Sequence, residues 1–235
     1  MRQPRGCEGR RLVVMARWPA PGRCKSRLAR GVTAADVGGV AAAVAEDAGS
    51  AGSGLGPWRA AAVQQRLGEH VLAEARQLRR RLPLELVLAA SGVGARRLQR
   101  WGAQLSCDRS LAQGPGGLGL KLQRQLGLAR RQGVRQLVIV GSDLPELAAP
   151  DLEAAFAGLQ RQPLVLGPAH DGGYWLIGLQ LHTPLPLQRL FCGIPWGTAE
   201  VLAATRQAAH QLGLTPLELP ARADLDRPAD LARWR

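Results

Sequence analysis

Apolar residues along this chain fall into two regimes: short unbroken runs, and longer stretches where they recur every three or four positions. Residues 11–16, 84–90 and 137–140 are runs of the first kind and read as buried strands. The last of them, Leu137-Val-Ile-Val140, is continuously apolar, as expected of a central parallel strand covered on both faces. Between the runs, Val63, Leu67, Val71, Ala75 and Leu78 repeat at helical spacing and predict a long amphipathic helix. A short helix ending near Trp101, a helix opened by Leu118, Leu122 and Leu126, and helices at 151–161 and 198–212 obey the same logic. Upstream, Thr33 is placed to cap an alanine-rich helix running to about Asp47. Further strands are expected at 163–167, at 173–179 and near Leu217. Strands alternate with helices throughout, so the predicted class is α/β with a mainly parallel sheet. In such sheets ligands bind at the carboxyl ends of the strands.

The 235 residues suit one α/β domain spanning 1–235, with 1–10 a basic arm and 49–57 a flexible glycine-rich insertion. Four scattered cysteines form no CxxC pair, and no histidines stand at metal-ligand spacing, which argues for a reducing cytoplasm and against a zinc site. No apolar stretch approaches a membrane span, and the first residues lack a signal peptide's apolar core. The net charge of +13 raises the question of nucleic acid. Yet the arginines are spread along the helices without aromatic interleaving, so steering of an anionic small molecule is the preferred reading.

Two glycine-rich loops carry the clearest chemistry. The first comes after the opening strand and holds Pro21, Gly22, Lys25, Ser26 and Arg27; glycine admits backbone N–H groups to an anion, and the cations neutralise it. The second, Gln113-Gly-Pro-Gly-Gly-Leu-Gly119, leads to Lys121, with Gly116 and Gly119 its candidate contacts. Lys25 and Lys121 are the only lysines among 31 basic residues, a choice of point charge over guanidinium fork at two loops. The alternative is an exposed loop in an arginine-rich protein.

Asp143 sits directly after an apolar strand and before Leu144-Pro145, where a carboxylate can hold Mg²⁺ or Mn²⁺ against a diphosphate; the alternative is a turn cap. In Asp171-Gly-Gly-Tyr-Trp175, Gly172 and Gly173 permit close backbone approach, and Asp171 could share the cation or bind a sugar hydroxyl. Its alternative is an Asp-Gly hairpin turn. Asp224 and Asp226 lie two apart on an extended segment, so only one is expected to enter a site, while Asp230 caps or pairs on the final helix. His170 is within reach of Asp171, and the Trp196-Gly197-Thr198 turn is placed to cap a helix and shape an acceptor pocket, or else to pack in the core.

Arg17-Trp-Pro-Ala-Pro-Gly-Arg-Cys-Lys-Ser-Arg-Leu28 resembles a K-x-P-x-P-G-x-x-K-[ST]-R-L signature. Gly141-Ser-Asp-Leu-Pro145, the stretch 166–178, the stretch 191–198 and Asp224-Leu-Asp226 succeed it in matching order. Together they resemble a bacterial family of glycosyltransferases, long catalogued as a domain of unknown function and often labelled arsenosugar-biosynthesis or radical-SAM/selenodomain-associated transferases. The resemblance runs from Leu12 to about Leu231 and implies a three-layer Rossmann-like GT-A fold, that of nucleotide-diphospho-sugar transferases. It implies nucleotide-phosphate binding by Lys25 and Arg27, a metal carboxylate at Asp143, and later acidic positions at Asp171 and Asp226. The sequence departs from the family in the second loop, where Gly117 replaces an aspartate and Lys121 an arginine.

The expected activity is a metal-dependent transfer of a sugar from a nucleotide sugar to a small-molecule acceptor. Asp171 or Asp226 would deprotonate the acceptor in an inverting reaction. One rival is a nucleotidyltransferase that releases pyrophosphate; another is a non-catalytic nucleotide- or nucleic-acid-binding protein. Nothing in these residues selects arsenic.

Overall fold

The structure, a computed structural model, describes residues 9–30 and 54–233. Its strands are β1 (Arg10–Arg17), β2 (Glu85–Ser91), β3 (Arg109–Ala112), β4 (Gln136–Gly141), β5 (Leu164–Pro168), β6 (Tyr174–Gln180) and β7 (Leu217–Glu218). They form one sheet in the order β3-β2-β1-β4-β6-β5-β7. β1 is parallel to both β2 and β4, and β3 is parallel to β2. The one reversed strand is β6, antiparallel to β4 and to β5, while β7 is parallel to β5. The sheet is therefore mainly parallel but mixed, as expected.

Successive residues along each strand divide between two cores. Leu12, Val14, Leu86, Leu88, Val138 and Val140 pack on one face against α2 (Gly56–Arg79), α3 (Ala95–Gln104) and α5 (Ala149–Gly158). Val13, Val87, Ala89, Leu137 and Ile139 pack on the other against α4 (Leu118–Arg131) and α6 (Val201–Gln211). This period-two split explains why the central strands read as unbroken apolar runs: both faces are buried. The result is three layers. No helix among the described residues is long and apolar enough to cross a membrane.

Several expectations shift. β3 was not expected: only Ser110 of its four residues is buried, so it carries no hydrophobic pattern of its own. α6 begins at Val201 rather than at 198. Thr198 caps no helix; its hydroxyl donates to Pro195 O at 2.8 Å and accepts from Glu200 N at 3.3 Å, closing a turn ahead of the helix. α5 occupies 149–158 rather than 151–161, because Pro150 fits the first turn and Asp151 Oδ2 accepts from Ala148 N at 3.0 Å. Gly56 and Pro57, read as connector, open α2. The helix expected after Thr33, positions 49–53 of the insertion and positions 1–8 of the arm lie outside the described residues; Arg10 of that arm already belongs to β1.

Candidate functional site

The site is assembled at the carboxyl edge of the sheet, where the loop after β1, the end of β4 and a strap at 219–226 meet. The loop after β1 leads into α1 (Ser26–Arg30). Lys25, at its head, adopts φ +49°, a left-handed conformation that costs a non-glycine residue about 1 kcal/mol. That turn sends the side chain inward: it is 2% exposed, its ammonium lies 3.1 Å from Asp143 Oδ1, and it donates to Leu225 O. One cation thus ties three segments together. Asp143 is held from a second side by Gln64 of α2, whose Nε2 donates to Asp143 Oδ1 and to Ser142 Oγ, both at 3.2 Å.

The strap is fixed by its apolar middle. Leu225 is fully buried with Leu28, Ala60 and Leu67, and its N–H donates to Asp143 O at 2.9 Å. Upstream, Arg222 N donates to Pro168 O, and the Arg222 guanidinium lies 2.5 Å from Asp151 Oδ1. With Leu225 locked, Asp224 and Asp226 face opposite sides, as their spacing requires.

Both sides are cavities, which corrects the expectation that only one of the pair would enter a site. The larger, of about 690 Å³, is lined by Lys25, Ser26, Gln64, Gln113, Asp143 and Asp226, with Gly116, Gly117 and Lys121 from the second glycine loop. The smaller, of about 410 Å³, is lined by Asp171, Gly173, Tyr174, Trp196, Thr198 and Asp224. Arg27 and Leu118 line both and mark the boundary.

Four of the expected contacts lie outside both cavities. Pro21, Gly22, Gly119 and Gly172 line neither cavity. Two of these glycines have packing roles instead. A Cβ on Gly119 would lie 2.5 Å from Trp196 Nε1, so its absence lets α4 close on the 191–198 turn. Gly172, at φ +87°, would drive a Cβ into Ala199 O, and its own carbonyl accepts from Leu202 N at 2.8 Å. Asp171 does form the turn contact weighed for it: Oδ1 accepts from Gly173 N at 2.9 Å. Asp226 is ion-paired with Arg27 at 3.0 Å, and Asp230 Oδ2 accepts from the N–H groups of Asp226 and Arg227, as a cap. His170 is exposed and lines neither cavity.

The sequence pattern assigned no role to Gln64, Gln113 or Ser142. The one signal available for Ser142 was its place beside Asp143. For Gln113 it was its place at the head of the second glycine-rich loop; for Gln64 there was none, because it acts on a segment far away in sequence.

Asp224 is electrostatically distinct. Burial, then the charges of Asp143 and Asp171, push its carboxyl from 3.8 up to about 7, with Lys25 opposing and Asp226 adding to the rise. Four carboxylates crowd a cleft whose nearest cations are Lys25 and Arg27, so an added cation would be favoured there. Among the described residues no three His, Cys, Asp or Glu side chains converge on one point. Mg²⁺ commonly takes one or two carboxylates and completes its shell with water and phosphate oxygens, so this oxygen donor set fits Mg²⁺ or Mn²⁺ held together with a nucleotide.

Among solved structures the chain is similar to a "putative nucleotide-diphospho-sugar transferase from Desulfovibrio desulfuricans G20", with 26% identity, TM-score 0.70, and coverage of 93% of this chain and 83% of that one. It shares its fold with 4-diphosphocytidyl-2C-methyl-D-erythritol synthase from Anaerococcus prevotii (6% identity, TM-score 0.57, 99% and 97% covered). It shares it also with mannosyl-3-phosphoglycerate synthase from Rubrobacter xylanophilus (12% identity, TM-score 0.51, 96% and 70% covered). No curated protein matches the chain. Residues 72–198, which carry β2 through the 191–198 turn, match the family model described as "Uncharacterized protein conserved in bacteria (DUF2064)". The chain belongs to the DUF2064 family, built on the α/β fold of nucleotide-sugar transferases and cytidylyltransferases.

Proposed function

We propose that this protein transfers a sugar from a nucleotide-activated donor to a small hydroxyl-bearing acceptor. The observation that carries the reading is the paired cavities. One is large and cationic enough for a nucleoside diphosphate, and it opens past Arg27 onto a second, carboxylate-lined cavity. A nucleotide sugar laid across that boundary places its diphosphate between Lys25, Arg27 and Asp143, and its anomeric carbon beside Asp224 and Asp171.

In this reading Lys25 and Arg27 stabilise the negative charge that grows on the departing diphosphate. Asp143, with Asp226 as the other carboxylate of that cavity, would hold Mg²⁺ or Mn²⁺. The ion supplies further positive charge to the leaving group when bound. Asp224 takes over the base role first considered for Asp171 and Asp226. It lines the acceptor cavity, no hydrogen-bonding or ion-pairing partner among the described residues occupies it, and a pKa near neutrality suits a general base. In an inverting reaction the acceptor oxygen attacks the anomeric carbon, the bond to the diphosphate oxygen breaks, and Asp224 takes the hydroxyl proton. Asp171, fixed by its own turn, orients the acceptor; Trp196 and Tyr174, edge-on at 6.2 Å, wall the cavity. An arsenosugar as the product is a finer reading that rests on the sequence resemblance alone, and these side chains do not select it.

The test is a thermal-shift panel of nucleotide sugars and nucleoside triphosphates with Mg²⁺, with Mn²⁺ or with EDTA, on wild type and Asp143→Asn. Ligands of the native state raise Tm by mass action. Metal-dependent stabilisation by one nucleotide sugar, lost in Asp143→Asn, supports the reading; stabilisation by triphosphates alone replaces it with nucleotidyl transfer.

A further inference from the structure

Gln113 lies just after β3 at the far end of the larger cavity, and its side chain is the most constrained polar group there. The residue is 5% exposed. Its Nε2 donates both hydrogens across two neighbouring strands, to Ala89 O of β2 at 2.9 Å and to Ala16 O of β1 at 3.0 Å. Because both partners are backbone carbonyls, the amide has one permitted orientation: a flip would set Oε1 against two acceptors and strand both N–H donors. The backbone is pinned as well. Gln113 N donates to Ala90 O, and Arg124 of α4 donates from Nη1 to Gln113 O and to Pro115 O. Oε1 accepts from no described protein donor, and Gln113 lines the cavity. The molecule therefore presents, at a fixed place, an acceptor in want of a donor.

Which part of a ligand reaches it is set by the sheet. Adjacent strands lie about 4.8 Å apart, so from β4, which Asp143 follows, across β1 to the Gln113 amide held between β1 and β2 is about 7 Å. That is comparable to the reach of a nucleotide from its α-phosphate to the near edge of its base. With the diphosphate at Lys25 and Asp143, the nucleobase comes to Gln113.

We propose that Gln113 is the specificity-determining residue for the nucleobase: its Oε1 accepts a hydrogen bond from an N–H on the base's Watson–Crick edge. The inference rests on the nucleotide-sugar reading above. It excludes recognition through a base-edge acceptor, since no N–H of this side chain is left to donate. Arg124 acts through the loop as a positioning residue.

The test is calorimetric binding of UDP, CDP, GDP and ADP, then of the preferred diphosphate with every N–H hydrogen on its Watson–Crick edge replaced by methyl, then of inorganic pyrophosphate. Wild type and Gln113→Met are both measured. Losing one neutral hydrogen bond is worth about tenfold in Kd. The expected results are discrimination of at least about tenfold among the bases and a loss of about tenfold or more on methylation. In Gln113→Met the bases should bind alike, with pyrophosphate affinity unchanged in both proteins. The methylated ligand needs no altered protein, so a Gln113→Met that fails to fold leaves the test standing. Equal binding of all four diphosphates, or tolerance of the methyl group, overturns the assignment while the nucleotide site stands. A penalty on 2′-deoxy and 3′-deoxy diphosphates in place of the methylated base also overturns it, by placing the ribose at Gln113. If neither diphosphates nor pyrophosphate bind, the nucleotide-sugar reading itself falls.

Discussion

Replacing Asp224 by asparagine should stabilise the protein above neutral pH while removing transferase activity. In the native state burial and the charges of Asp143 and Asp171 lift this carboxyl from 3.8 to about 7. The unfolded chain keeps the ordinary value. The sign comes from proton counting: between those two pH values the native state holds a proton that the unfolded state has lost, so stability falls as pH rises. Above about 7 the native protein carries the whole penalty of an ionised, crowded carboxylate. At about 1.4 kcal/mol per tenfold change in proton affinity, the rise sets a ceiling near 4 kcal/mol, and partial solvent contact brings the expected figure to roughly 2–4 kcal/mol. Asparagine keeps the shape without the charge. Urea denaturation in EDTA, at about pH 4 and about pH 8.5, should give nearly equal stabilities for wild type and variant at the lower pH. At the higher pH the variant should be ahead by roughly 2–4 kcal/mol. A variant that is equal or weaker at the higher pH would refute the crowded-carboxylate picture.

Two further predictions concern the frame behind the site. Gly172→Ala should destabilise by roughly 2–5 kcal/mol, because its Cβ would meet backbone atoms of Ala199 at a positive φ; a loss under about 1 kcal/mol in urea would contradict the packing described. At the opposite edge of the sheet, Arg11 is 2% exposed and its Nε donates to Glu85 Oε2 at 2.6 Å. Glu85→Ala, which leaves the buried guanidinium without its counter-charge and with Gln132 Oε1 as its remaining acceptor at 2.7 Å, should cost about 3–5 kcal/mol, whereas the apolar pair Arg11→Met with Glu85→Leu should recover most of that loss by the same measurement.

How far the sequence reveals this molecule depends on how local each cause is. β1, β2 and β4 were legible because burial on both faces writes an unbroken apolar run. β3 was not, since its four residues, Arg109-Ser-Leu-Ala112, owe their extended form to pairing with Val87–Ala90. The loop holding Lys25 and the strand end at Asp143 were legible as chemistry, but not the fact that the two side chains meet. The alternation of Asp224 and Asp226 was readable; that both sides would be cavities was not, because it depends on Leu225 being gripped by Leu28 and Leu67. Thr198 misled for a related reason. A threonine ahead of a helical pattern has the composition of a cap, and only the chain's path shows it closing a turn three residues early. Gln64 and Gln113 reach partners 79 and 97 residues away, and a neutral amide gives no sequence signal of that reach.

If the two cavities hold the two halves of a nucleotide sugar and pass its glycosyl group to an acceptor, the products must show it. Phosphorus NMR of the reaction mixture is the decisive assay, with the donor that stabilises the protein most, Mg²⁺ or Mn²⁺, and a mixture of small hydroxyl-bearing acceptors. A nucleoside diphosphate should be released, and its release abolished in Asp143→Asn and in Asp224→Asn. Release of pyrophosphate from a nucleoside triphosphate, with nucleotide sugars left intact, would contradict glycosyl transfer.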